Sequence, residues 1–151
     1  MDNPITFRTA KPSDLENILR LEEICFAGES FSRGQLRYLI GRAKADFIIA
    51  GSENTISAFI VLLRRRNTRN LRIYSIAVSP EERGKGLARA LLAEAEKNAR
   101  STGKQYINLE VGETNQDAIR LYLRSGFEVF GERASYYRDG SKALLMRRPV
   151  L

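Results

Sequence analysis

The apolar positions of this chain switch several times between alternation, as on a half-buried strand, and recurrence every three to four residues, as on a helix. "ITFRTA" near the start reads as a short strand. Ser13 with Glu16 makes an S-x-x-E capping-box pattern around Leu15, Ile18, Leu19 and Glu22, and a second such pattern, Ser32 with Gln35, opens "QLRYLIGRA". Two helices are predicted there. "DFIIA" and "TISAFIVLL" read as strands joined by a Gly-Ser-Glu-Asn turn, and "LRIYSIAV" as a further strand. Leu87, Leu91, Ala95 and Ala99 mark a helix ending near Gly103. "YINLEV" is the next strand, and Ala118, Ile119, Tyr122 and Leu123 mark a helix that stops at Gly126. "FEVFGERA" and "KALLMRR" close the chain as a hairpin around Asp139-Gly140. The order β-α-α-β-β-β-α-β-α-β-β predicts a mixed α/β sheet with helices on both faces.

Composition narrows the function classes. At 151 residues the chain is expected to form one domain, residues 1–151. Its longest apolar run, Ala58 to Leu63, falls far short of the roughly 20 residues that span a bilayer. The amino-terminal stretch has no apolar core of a signal peptide, and the single cysteine, Cys25, fits a reducing compartment. A cytoplasmic location is therefore expected. The net charge of +7 favours an anionic ligand or partner. The run Arg64-Arg65-Arg66 reads as a solvated hairpin end before it reads as a nucleic-acid contact. With no histidine, acid–base chemistry falls to carboxylates, tyrosine, lysine, cysteine or the substrate.

The most informative stretch is "IAVSPEERGKGLARALL". Gly84, Gly86 and Ala88 stand at alternate positions where a helix begins, so a ligand can approach backbone amides at the positive end of the helix dipole. That arrangement suits phosphate. A dinucleotide-binding G-x-G-x-x-G fails on spacing, and a P-loop fails because Lys85 is followed by Gly86 rather than Ser or Thr.

Arg83-x-x-Gly86-x-Ala88, preceded by "SIAVSPEE", resembles the acetyl-coenzyme A signature of the GNAT N-acetyltransferases. The resemblance implies a central, mostly antiparallel twisted sheet of about seven strands. It implies a pantetheine arm along Ile76, Ala77 and Val78, and a pyrophosphate on the amides of Gly84, Lys85, Gly86, Leu87, Ala88 and Arg89, with charge from Arg83, Lys85 and Arg89. "LEVGETNQDAIRLYLRSGFE" and "SYYRDGSKALLMRR" resemble the RimI-like ribosomal-protein alanine acetyltransferases. That resemblance implies Glu110 as general base, Tyr122 as general acid and Asn115 as a holder of the donor. Gly112 departs from it, since members often carry arginine there.

On the residues themselves, Cys25 lies among acidic neighbours that would raise its pKa, so direct transfer is favoured over an acyl-enzyme. Tyr122 either has its pKa lowered by Arg120 or Arg124 and transfers a proton, or stabilises the thiolate by a hydrogen bond. Tyr136 and Tyr137 line the acceptor site or pack as plain aromatics. The expected function is acetyl transfer from acetyl-coenzyme A, with no metal, to the α-amine of a protein or peptide, a ribosomal protein among the candidates. The alternatives are a small-molecule amine or a lysine, and a non-catalytic ribosome- or RNA-binding module. No membrane partner and no direct nucleic-acid partner are expected.

Overall fold

The structure, a computed structural model, describes residues 5–26, 30–41, 44–52, 54–65 and 67–151. In chain order the elements are β1 (Phe7–Thr9), α1 (Leu15–Cys25), α2 (Arg33–Ile40), β2 (Ala45–Gly51), β3 (Ile56–Arg64), β4 (Asn70–Val78), α3 (Leu87–Ser101), β5 (Tyr106–Gly112), α4 (Gln116–Arg124), β6 (Glu128–Arg133) and β7 (Ala143–Pro149). The element order is the one the apolar pattern predicts. The strands form one seven-stranded sheet in the order β1-β2-β3-β4-β5-β7-β6, and only β4 and β5 run parallel, joined by the crossover through α3.

Two cores flank this sheet. On one face α3 and α4 pack through Leu87, Leu91, Ala95, Ile119 and Tyr122 against Leu71, Ile73, Ile107, Leu109 and Val111. On the other, α1 and α2 pack through Ile18, Leu21, Leu36 and Leu39 against Phe47, Ile49, Phe59, Val61 and Ala77. The second helix pair packs only on the β1–β4 half of its face, and neither of its helices joins the core beneath β5, β7 or β6 among the described residues. Among the same residues, no helix is long and apolar enough to cross a membrane.

Two local expectations need correction. The Ser13–Glu16 box does not form. Ser13 lies inside a 3-10 turn opened by Pro12, where the Asp14 carboxylate accepts the Lys11 N–H at 2.7 Å and pairs with Arg8, while Glu16 pairs with Arg33. The Ser32–Gln35 box does form, with Ser32 N–H donating to Gln35 at 2.8 Å and Gln35 N–H to Ser32 Oγ at 3.2 Å. Leu123 is exposed, because Ile119 and Tyr122 alone carry the buried stripe of so short a helix. Arg64 ends β3 and pairs with Asp46 at 2.9 Å, which accords with a hairpin end; Arg66 lies outside the described residues, as does Glu53 of the turn before β3.

Candidate active site

The site grows from the point where the two parallel strands part. β4 pairs with β5 only from Asn70 to Ile73, opposite Tyr106 to Leu109, yet it stays on β3 as far as Val78, and β5 stays on β7 as far as Gly112. A bulge at Tyr74 bends β4 at this place, since Leu62 pairs with Ile73 but Val61 with Ser75. The extra residue reverses the alternation of the strand. Leu71 and Ile73 face the α3/α4 core, and beyond the bulge Ile76 and Val78 do so.

At the far end of β4 the chain turns into α3. Arg83 N–H reaches Pro80 O at 3.5 Å and Ala90 N–H donates to Gly86 O at 3.0 Å; the amides of Gly84 through Arg89 have no acceptor among the described residues. Gly84 and Gly86 hold φ of 82° and 80°, and no heavy atom lies within 4 Å of where a Cβ would stand on either. Here glycine is required by the left-handed backbone, and the space before the amides is open. Oriented amides at the positive end of a helix fit a phosphate-bearing donor. Two of the three cations at this turn have protein partners. Arg83 turns its Nε onto Val78 O at 3.3 Å, and Lys85 pairs with Glu82 at 3.0 Å; Arg89 is exposed.

Glu110 and Tyr122 lie on opposite sides of the parting. Glu110 projects from β5 on the face away from α3, and Arg72, on the neighbouring strand, holds its Oε2 through Nε at 3.2 Å and Nη2 at 3.1 Å. Glu110 Oε1 has no partner among the described residues. Tyr122 is buried in the α3/α4 core, its ring edge-on to Phe127 at 5.7 Å. Burial pushes its phenol well above the usual range, with the nearby Tyr137 adding to the effect. The expectation that Arg120 or Arg124 lowers it therefore fails: Arg120 pairs with Asp117 on the outer side of α4, and the phenol is held as a neutral donor.

Tyr136 and Tyr137 meet edge to face at 5.0 Å above the end of β5, and the Tyr136 hydroxyl lies 3.5 Å from Arg72. A Cβ on Gly112 would stand 3.4 Å from the Tyr137 ring, so the glycine lets that ring lie close against β5. Asn115 caps α4, its Oδ1 accepting Ala118 N–H at 3.3 Å. Among the described residues no cluster of three or more His, Cys, Asp or Glu could hold a metal.

Several residues escaped the sequence reading. Arg72 is one, although a charge in the middle of the apolar "LRIYSIAV" is a signal. Glu22 is another: it is 2% exposed, its Oε1 accepts the Phe31 N–H at 3.1 Å, its Oε2 lacks a hydrogen bond, and burial pushes its carboxyl up to about 7. The Cys25 thiol donates to Val78 O at 3.4 Å and its pKa is raised, as expected, but chiefly by burial rather than by acidic neighbours.

The profile of the Acetyltransferase (GNAT) family matches residues 14–127. The chain belongs to that family. It is 32% identical over 151 residues to an uncharacterised protein of Mycobacterium leprae, covering 97% of this chain and 41% of that one. It is 33% identical to streptothricin acetyltransferase of Streptomyces lavendulae over 68% of this chain and 57% of the relative. The chain thus spans about half the length of these two. It is 30% identical to the N-alpha-acetyltransferase RimI of Mycobacterium tuberculosis, covering 96% of this chain and 92% of the relative. The crystal structure of the ribosomal-protein-S18-alanine N-acetyltransferase from Escherichia coli superposes with a TM-score of 0.86 at 25% identity, over 97% of this chain and 94% of that one. The GNAT fold expected from the motifs is the fold observed.

Proposed function

We propose that this chain is an N-acetyltransferase that moves acetyl from acetyl-coenzyme A to the α-amine of a protein or peptide. The observation that carries the reading is the run of unaccepted amides from Gly84 to Arg89, opening beside the edge of β4 that β5 leaves. Those amides take the pyrophosphate, Ile76, Ala77 and Val78 flank the pantetheine arm, and Asn115 retains its Nδ2 to donate after Oδ1 has capped α4. Val78 O is shared with Cys25 and Arg83, so the arm exchanges for those contacts.

The donor supplies an activated thioester. Glu110 removes a proton from the acceptor ammonium through its free Oε1, while Arg72 keeps the carboxylate in one orientation. The amine lone pair then attacks the carbonyl carbon, the C–S bond breaks while Tyr122 hydrogen-bonds the departing thiolate, and that thiolate takes the second proton, which the nitrogen sheds as the amide forms. A buried phenol held neutral donates a hydrogen bond; it does not become a phenolate. One carboxylate base suits an α-amine, of pKa about 8, better than a lysine near 10.4, since the neutral fraction at pH 7 differs by over a hundredfold. The relative named an N-alpha-acetyltransferase and the solved ribosomal-protein-S18-alanine N-acetyltransferase support this choice.

The test is an acetylation screen over peptides with varied first residues, with amino-terminally blocked lysine peptides, polyamines and streptothricin alongside. Turnover of free amino termini and not of blocked peptides is expected. The identity with streptothricin acetyltransferase favours a second reading, a small-molecule amine, and faster turnover of streptothricin or a polyamine would establish it instead. Salt-sensitive RNA binding without any acetyl-coenzyme A binding would replace both with a non-catalytic module.

A further inference from the structure

The acceptor face has a charge pattern of its own. Arg72 on β4, Asn108 on β5 and Arg147 on β7 are successive cross-strand partners, so they form one row across the face of the sheet opposite α3 and α4. Glu110 lies opposite Leu145, two residues further along β5 and β7 and therefore about 7 Å from this row. The arginines near the row differ in what neutralises them. Arg72 is paired with Glu110 at 3.1 Å, and Arg148, pointing to the other face, is paired with Glu96 at 2.7 Å. Arg147 makes no ion pair among the described residues, even though Glu128 lies opposite it on β6. Its guanidinium rests instead on two rings, 5.1 Å from the centroid of Tyr106 and 5.0 Å from that of Phe130. Stacking of this kind holds a guanidinium in place while leaving its N–H groups to a ligand. Beside it, Asn108 Oδ1 is buried without a hydrogen-bond partner, an unusual state for a polar atom on a binding floor that nothing polar completes.

We propose that Arg147 is a specificity residue that binds a carboxylate of the acceptor, so that this chain selects peptides with an acidic side chain at the second or third position. The inference rests on the reading of the acceptor as a peptide amino terminus. An extended peptide whose amine lies at Glu110 carries its second and third side chains the distance that separates Glu110 from the row. Asn108 then hydrogen-bonds the main chain of the same segment, and the paired Arg72 remains with Glu110.

The experiment compares Ala-Glu-Glu, Ala-Gln-Gln and Ala-Lys-Lys peptides of otherwise identical sequence, with the wild-type chain, Arg147→Gln and Arg147→Glu. The wild type should show a KM about tenfold lower for the Glu peptide than for the Lys peptide, the scale of one hydrogen-bonded charge pair. That ratio should fall toward one in Arg147→Gln and invert in Arg147→Glu, an inversion that a purely structural role would not produce. Thermal melts of both variants establish that they are folded. If the wild type acetylates all three peptides with equal KM, the peptide reading stands and the role of Arg147 is overturned. A wild-type preference that persists in both variants overturns it too. If no peptide is acetylated at any concentration, both readings fall together.

Discussion

Tyr122 carries the clearest single-residue consequence. Its phenol is buried and its proton is held by that burial, so what it can give a leaving sulfur is a hydrogen bond. Tyr122→Phe keeps the ring that packs on Phe127 and removes only the hydroxyl. We expect kcat to fall by about 10²–10³ with the KM for acetyl-coenzyme A nearly unchanged, because the bond matters most as thiolate charge develops. The wild-type pH–rate profile should show no limb from tyrosine ionisation up to about pH 10, the ordinary phenol range. Steady-state kinetics across pH would test both statements, and full turnover in the variant would reduce Tyr122 to a packing residue. The position of Tyr122 was legible as an apolar-stripe residue at family spacing. The direction of its pKa was not, since Arg120 and Arg124 flank it in sequence but α4 turns Arg120 outward to Asp117. The pairing of Arg72 with Glu110 was equally hidden, being a contact between strands 38 residues apart.

Among the elements, the mouth of α3 makes the most direct test of the donor site. Gly86 and Gly103 both hold left-handed backbone, with φ of 80° and 71°, and a Cβ added to either would find no heavy atom within 4 Å. Gly86 opens the helix and Gly103 follows its other end. Gly86→Ala and Gly103→Ala should therefore each cost about 1 kcal/mol of stability from the same strain. Only Gly86→Ala should also weaken acetyl-coenzyme A, by about tenfold or more, since its methyl group enters the space before the amides. Calorimetric titration of both variants decides the matter, and equal affinities would remove the phosphate cradle. Element boundaries followed well from spacing where the signal was local, as with Ser32 and Gln35. They failed where a distant partner competed. Asp14 is drawn to Arg8 of β1, and with Pro12 this sets the start of α1 in place of Ser13 and Glu16. The bulge at Tyr74 left no mark in a run of apolar residues that reads equally well without it.

At the scale of the whole molecule, the stability of the fold should depend on pH through Glu22. Its carboxyl is pushed from 4.5 up to about 7 by burial, so the folded state favours the protonated form. Stability from this group is complete below about pH 4.5 and is lost as pH rises through about 7, by up to about 3 kcal/mol. Glu22→Gln should flatten that dependence, leaving a chain that is more stable than the wild type at about pH 8 and little changed at about pH 4. Urea melts across that range measure it, and parallel curves for the two proteins would show that Glu22 ionises freely.

The parting of β4 and β5 has a consequence for traffic through the enzyme proposed above. The mouth of α3 opens on one side of the sheet, and Glu110 with Arg72 faces the other. Donor and acceptor would then use separate entrances and meet only in the gap between the strands. On that reading, an acceptor's bulk beyond its first few residues would have no bearing on the donor's route. A folded protein or a larger assembly could stay seated on one side while spent coenzyme is exchanged for fresh on the other.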